Sequence, residues 1–167
     1  MTAALALAMS CGCVGTRMQE EHFADGSIRA RYRFRENEKG DSVVDGAFTE
    51  WHANGRVARR GRFAEGKQHG VQSSWYKSGA KKSVRRYDRG RLDGVSRSFY
   101  EHGGKKDECP FRRSRKHGAE RRWYPNGQLS WEAHYEEGVL KRYAQYDAAG
   151  GIIDQLDVVR GFGDPIE

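Results

Sequence analysis

A 24-residue period governs this sequence. The turn-like pentapeptides "WHANG" (51–55), "WYKSG" (75–79), "FYEHG" (99–103) and "WYPNG" (123–127) begin 24 residues apart. Twelve residues after the start of each comes a second aromatic: Phe63, Tyr87, Phe111, Tyr135. A second turn separates successive units, "EGKQHG", "RGRLDG" or "RSRKHG". Its last glycine is Gly70, Gly94 or Gly118, and the next aromatic always stands five residues on. Weaker copies flank these. "HFADG" (22–26) has Phe34 twelve residues after His22, with five surplus residues in "RENEKGDS", and "YDAAG" (146–150) follows at the other end. About six units with degenerate ends are what a repeat array with capping terminal units looks like.

Such a unit is too short for two helices and has no i, i+3, i+4 apolar pattern. It alternates instead: Leu129, Trp131, Ala133 and Tyr135 are every second residue, as are Ile28, Ala30, Tyr32 and Phe34. Period two is the mark of a strand with one covered face, so each repeat reads as a β-hairpin. Pro125-Asn126-Gly127 suits a three-residue hairpin loop, with proline opening a type I turn and glycine in the left-handed position that closes it. Tyr124 then pairs with Gln128 and Trp123 with Leu129. Carried straight down the hairpin, this pairing predicts two aromatic columns on one face. One is Trp51, Trp75, Phe99, Trp123; the other is Phe63, Tyr87, Phe111, Tyr135. As a core residue, Trp75 replaced by alanine is expected to cost about 3–5 kcal/mol. Cys109 falls where other units have Gly61, Arg85 and Ala133, and reads as a small strand residue.

Aromatic-x-x-x-Gly, then a second aromatic, then "EGKQHG" (65–70) and its variants, resembles the MORN repeat. The likeness is to the bacterial variant found in lipoproteins and in antitoxin-like proteins. "RGRLDG" and "RSRKHG" keep the final glycine, but Ser114 replaces the first. The resemblance covers residues 21–158. It implies an all-β fold, an elongated antiparallel meander of about six hairpins. It also implies a protein-interaction scaffold; some eukaryotic members have been proposed to bind phosphoinositides. No binding residue set carries over.

The opening "MTAALALAMSCGC" has an apolar run, Ala3 to Met9, then Ser10 and Cys11. That run is too short to span a bilayer and resembles a bacterial lipoprotein signal with Cys11 lipidated; Cys13 is the second choice. A basic n-region is missing, and Met9 is unusual before Ser10. The chain then divides into a signal segment (1–10), a tether (11–20), the repeat array (21–158) and a tail (159–167). It is expected in the bacterial cell envelope on a lipid anchor, or in the cytoplasm if the segment is not a signal.

The formal charge is +7, unevenly placed. Residues 51–125 hold 21 Lys and Arg against 7 Asp and Glu, while both flanks are acidic overall. Arg59, Arg60, Arg62, Lys81, Lys82, Arg85, Arg86, Arg112, Arg113 and Arg115 form a candidate basic surface for an acidic partner, the alternative being a solvated sheet surface. Basic and aromatic residues together also suit single-strand binders, but the aromatics are assigned to the columns, which speaks against nucleic acid.

No catalytic motif is present: no HExxH, P-loop, GxGxxG or Gly-x-Ser-x-Gly. His69 and His117 share a turn slot, and three cysteines give neither a zinc spacing nor a disulfide framework. No catalytic residue, metal or cofactor is expected. The function this predicts is a monomeric, non-enzymatic scaffold, tethered to a membrane, that binds a protein or cell-surface partner along its sheet. The alternatives are an antitoxin-like partner of a toxin protein and an electrostatic binder of anionic lipid or nucleic acid.

Overall fold

The computed structural model describes residues 15–157. They form one antiparallel sheet of 14 strands, joined in sequence order, and among the described residues there is no helix. The strands are β1 (Arg17–His22), β2 (Ile28–Glu36), β3 (Ser42–Trp51), β4 (Val57–Ala64), β5 (Lys67–Trp75), β6 (Lys81–Asp88), β7 (Arg91–Leu92), β8 (Gly94–Phe99), β9 (Lys105–Arg112), β10 (Arg115–Lys116), β11 (Gly118–Trp123), β12 (Leu129–Glu136), β13 (Val139–Tyr146) and β14 (Ile152–Asp157). The expected all-β meander of hairpins is the observed fold. The sheet begins at Arg17, within the stretch read as a tether, and Cys11 lies outside the described residues.

Two kinds of turn alternate. One is the three-residue loop: Tyr124 N–H donates to the Gln128 carbonyl at 2.8 Å and Gly127 N–H to that of Tyr124 at 2.9 Å. The same pair of bonds recurs at 76–80, 100–104 and 52–56. The surplus residues near 37–41 form another loop of this type, with Asn37 N–H donating to the Asp41 carbonyl at 2.9 Å. The other turn has two residues, both at positive φ: Glu65-Gly66, Arg89-Gly90, Arg113-Ser114 and Glu137-Gly138. That is the backbone of a type I′ turn, whose twist matches the flanking strands.

A single-layer sheet has no conventional core. Among the described residues the buried apolar ones are Ala30, Cys109 and Ala133, and no large side chain is fully buried. Cohesion comes instead from the backbone ladder between neighbouring strands, reinforced at the edges, where each repeat is stitched to the next. At the three-residue loops, Tyr76, Tyr100 and Tyr124 donate their hydroxyls to the carbonyls of Phe99 (2.8 Å), Trp123 (2.8 Å) and Tyr146 (2.9 Å). His52 reaches the Trp75 carbonyl in the equivalent place (3.0 Å). At the two-residue turns, the N–H groups of Gly66, Gly90, Ser114 and Gly138 donate to the carbonyls of Val44, Gln68, Leu92 and Lys116 at 2.7–2.9 Å.

The pairing differs from the sequence expectation at one point in all six hairpins. Trp123 does face Leu129, but the next pair is Arg122 with Trp131, leaving Ser130 as an extra residue. Equivalent shifts stand at Glu21/His22, Glu50/Trp51, Ser74/Trp75, Ser98/Phe99 and Gln145/Tyr146. Such a bulge re-aims the side chains beyond it. Directly opposed residues share a face and neighbours along a strand alternate. Trp123 therefore lies on the face of Arg121, and Arg122 on that of Trp131 and Tyr135. The two aromatic columns stand on opposite faces.

Candidate docking surface

The face carrying Phe63, Tyr87, Phe111 and Tyr135 is largely satisfied by its own residues. Each of these half-buried rings stands across the ladder from a glycine: Gly46, Gly70, Gly94 and Gly118. The ring covers the backbone that glycine leaves bare, an arrangement known to strengthen cross-strand pairs. Phe48 meets Phe63 edge-on at 5.5 Å between centroids, and Trp131 stacks on Tyr143 at 4.8 Å. Polar groups here also pair among themselves. Ser74 bonds Ser83 (2.7 Å), Ser98 bonds Asp107, and Arg59 makes a two-pronged bond to Glu50 (2.5 and 3.0 Å).

Glu120, buried on this face, holds Lys116 and Arg122, both at 2.8 Å. Burial pushes its carboxyl up, yet Lys116 and Arg122 more than offset that and leave it below the ordinary value. The neighbouring Cys109 thiol is raised to about 11, chiefly by burial and then by the nearby Glu120 charge. A protonated thiol of that kind is a packing residue, not a nucleophile.

The opposite face is different. Ala47, Thr49, Arg60, Arg62, Val71, Ser73 and Trp75 line an open groove of about 460 Å³. Arg33 and Arg86 extend this surface: Arg86 stands opposite Val71, and Arg33 lies two residues from Arg31, whose guanidinium covers the Trp51 ring at 5.7 Å. Room for the two stems comes from glycine. A Cβ on Gly46 would come within 3.3 Å of the Arg33 side chain, and one on Gly94 within 3.4 Å of Arg86. Among the described residues Arg33, Arg60, Arg62 and Arg86 meet no carboxylate, and all four are exposed. Farther along, the same face neutralises itself, Arg97 with Glu108 (2.7 Å) and Arg121 with Glu132 (2.8 Å). A second groove there is lined by residues of both signs, including Arg121, Glu132 and Arg142.

The ten basic residues singled out from the sequence are all exposed, but they do not form one surface. Arg60, Arg62, Lys81 and Arg86 share the Trp75 face. Arg59, Lys82 and Arg85 lie on the other, where Lys82 sits 5.4 Å from the centre of the Tyr76 ring. Arg112, Arg113 and Arg115 cluster at a two-residue turn, where Arg112 approaches Glu137 (3.7 Å). Runs such as "KKSVRR" distribute their charges to both sides because strand neighbours alternate. Arg33 was missed. Its signal was present in the sequence, since Arg33, Arg62 and Arg86 occupy one slot of the repeat, once the 29-residue first unit is allowed for. Tyr124, placed by the sequence only as the partner of Gln128, is also a stitch between repeats.

Among the described residues no group of three His, Cys, Asp or Glu is placed to hold a metal ion, and no helix is long and apolar enough to cross a membrane. The described surface offers cations, hydroxyls and half-covered rings along a groove, which suits binding.

Residues 116–136 match the family model of the MORN repeat variant. That match spans the bulged hairpin of β11 and β12 and the Glu120 cluster. A crystal structure of a protein of unknown function from Bacteroides fragilis is similar over 86% of this chain and 93% of that one, at 8% identity and a TM-score of 0.19, too slight a likeness to carry a functional argument. No curated protein matches the chain.

Proposed function

We propose that this MORN-variant repeat array is a non-catalytic docking scaffold, held at the bacterial cell envelope through a lipid on Cys11. Its Trp75 face receives a protein partner. The observation that carries the reading is the contrast between faces. One pairs Arg59 with Glu50 and Lys116 and Arg122 with Glu120, leaving Arg85 without a carboxylate, whereas the other presents Arg33, Arg60, Arg62 and Arg86 without carboxylates beside a half-covered aromatic column. Arginine and aromatic side chains are the residues that concentrate binding energy at protein interfaces, and unpaired positive charge steers an acidic partner onto them.

The test is site-specific photocrosslinking in the native host. A photoreactive residue replacing Val71, which is 54% exposed, should give a discrete adduct. One replacing Arg85, on the other face of the same region, should give none. Equal labelling from both positions, or none from Val71, overturns the reading. The tether is tested separately: palmitate label should enter the wild-type chain and disappear in Cys11→Ser.

A further inference from the structure

Arg33, Arg62 and Arg86 recur once per repeat on one face, and so form a column running across the strands. Antiparallel neighbours lie about 4.8 Å apart, so a two-strand repeat advances about 9.6 Å. Trp51, Trp75 and Phe99 recur at the same step on the same face, giving a column of rings beside the column of guanidiniums. The arginine column ends where the repeat slot passes to Pro110 and His134; Pro110 takes the place over Gly118 that Arg86 takes over Gly94.

We infer that these two columns read an acidic segment in a polyproline-II-like conformation, lying across the strands with a carboxylate at every third residue. The inference rests on the docking reading above. A polyproline-II chain has three residues per turn and rises about 3.1 Å per residue, so every third side chain returns to the same side after about 9.3 Å. That step matches the repeat. A β-strand does not fit, because residues three apart point to opposite sides and same-side residues recur at about 6.7 Å. Each arginine can grip a carboxylate with two parallel hydrogen bonds. The residues between the acids then fall against Trp75 and Phe99, as apolar and proline residues do in aromatic-lined grooves.

Phosphate polymers fit less well. Trp51 already carries the Arg31 guanidinium on its ring, so a stacking base must displace it. The backbone N–H groups of these strands are spent in the sheet ladder, so no amide cradle faces a phosphate.

The experiment uses the full chain with two fluorescein-labelled 15-residue peptides of identical composition. One is five Glu-Pro-Pro units; the other has its five glutamates contiguous. In anisotropy titrations at physiological salt the periodic peptide should bind at least tenfold more tightly than its isomer. Arg62→Glu and Arg86→Glu should each weaken it at least tenfold, and Arg85→Glu less than twofold. Thermal melts of each variant confirm folding, and Arg62→Gln, expected to weaken binding about fivefold, replaces any charge reversal that unfolds.

Equal affinity for the two isomers, or an equal loss from Arg85→Glu, overturns the inference in favour of unselective charge attraction. Tighter binding of a 20-nucleotide single strand or of phosphatidylserine vesicles, lost in the same variants, overturns it in favour of a phosphate surface. If Val71 crosslinks a partner while the peptides are not distinguished, docking stands and the spacing fails; if neither succeeds, both fall.

Discussion

Ser114 sits at φ +67° in the second position of its turn, where the other tight turns place glycine. A side chain in that region costs roughly 1–2 kcal/mol. Part of the cost is offset because its hydroxyl accepts the Leu92 N–H at 3.0 Å. Ser114→Gly is expected to stabilise the chain by about 0.5–1 kcal/mol, and Ser114→Ala, which keeps the strain and loses the acceptor, to destabilise it by a similar amount; urea titrations of the pair check both signs. Glu120 is the opposite case, a charge whose burial is tolerated because two cations hold it. At 4% exposure, its replacement by glutamine should cost about 1–3 kcal/mol, since Lys116 and Arg122 remain partly in water. Its folded pKa is depressed, so the stabilisation is present above its unfolded value of about 4.3 and is lost as pH falls through the lower folded value. Stability of the wild type should therefore fall more steeply below about pH 4.3 than that of Glu120→Gln.

At the scale of the hairpin, the tyrosine stitch and the bulge have separate consequences. Tyr100→Phe keeps the ring and removes one hydroxyl bond to the Trp123 carbonyl, an expected loss of about 0.5–1.5 kcal/mol, readable in thermal melts. Trp75 was expected to behave as a core residue. It is only half-buried, on the open face. Trp75→Ala should accordingly cost about 1–3 kcal/mol, below the full-core range, while weakening capture by the groove at least as much as it weakens the fold. The hairpins themselves were legible in the sequence: loop residues and strand alternation follow from local backbone chemistry. The bulge was not, because no residue type marks Ser130 and its counterparts Arg29, Ala58, Lys82, Lys106 and Ile153 as the extra member of a pair.

Among the described residues, strand contacts are concentrated between neighbouring strands, and the turn stitches reach no farther than the next repeat. Stability of such an array is nearly a sum of unit and nearest-neighbour contributions. Removing residues 76–99, one full repeat, joins Trp75 to Tyr100 in the same slot that Tyr76 held. The shortened chain is expected to keep its β circular dichroism and melt only modestly lower, while losing Arg86 and with it part of the docking column; collapse of the β signal would show that the repeats are not interchangeable. Period, hairpins, the three-residue loop and the β fold were determined by the sequence alone, since each follows from residue types that recur in fixed order along the chain. Which face each tryptophan takes, which arginines stand together, and that Tyr124 is a stitch were decided only by tertiary structure. Those properties depend on register between strands and on partners 22 or 23 residues away, where a one-residue shift moves a side chain from one face of the sheet to the other.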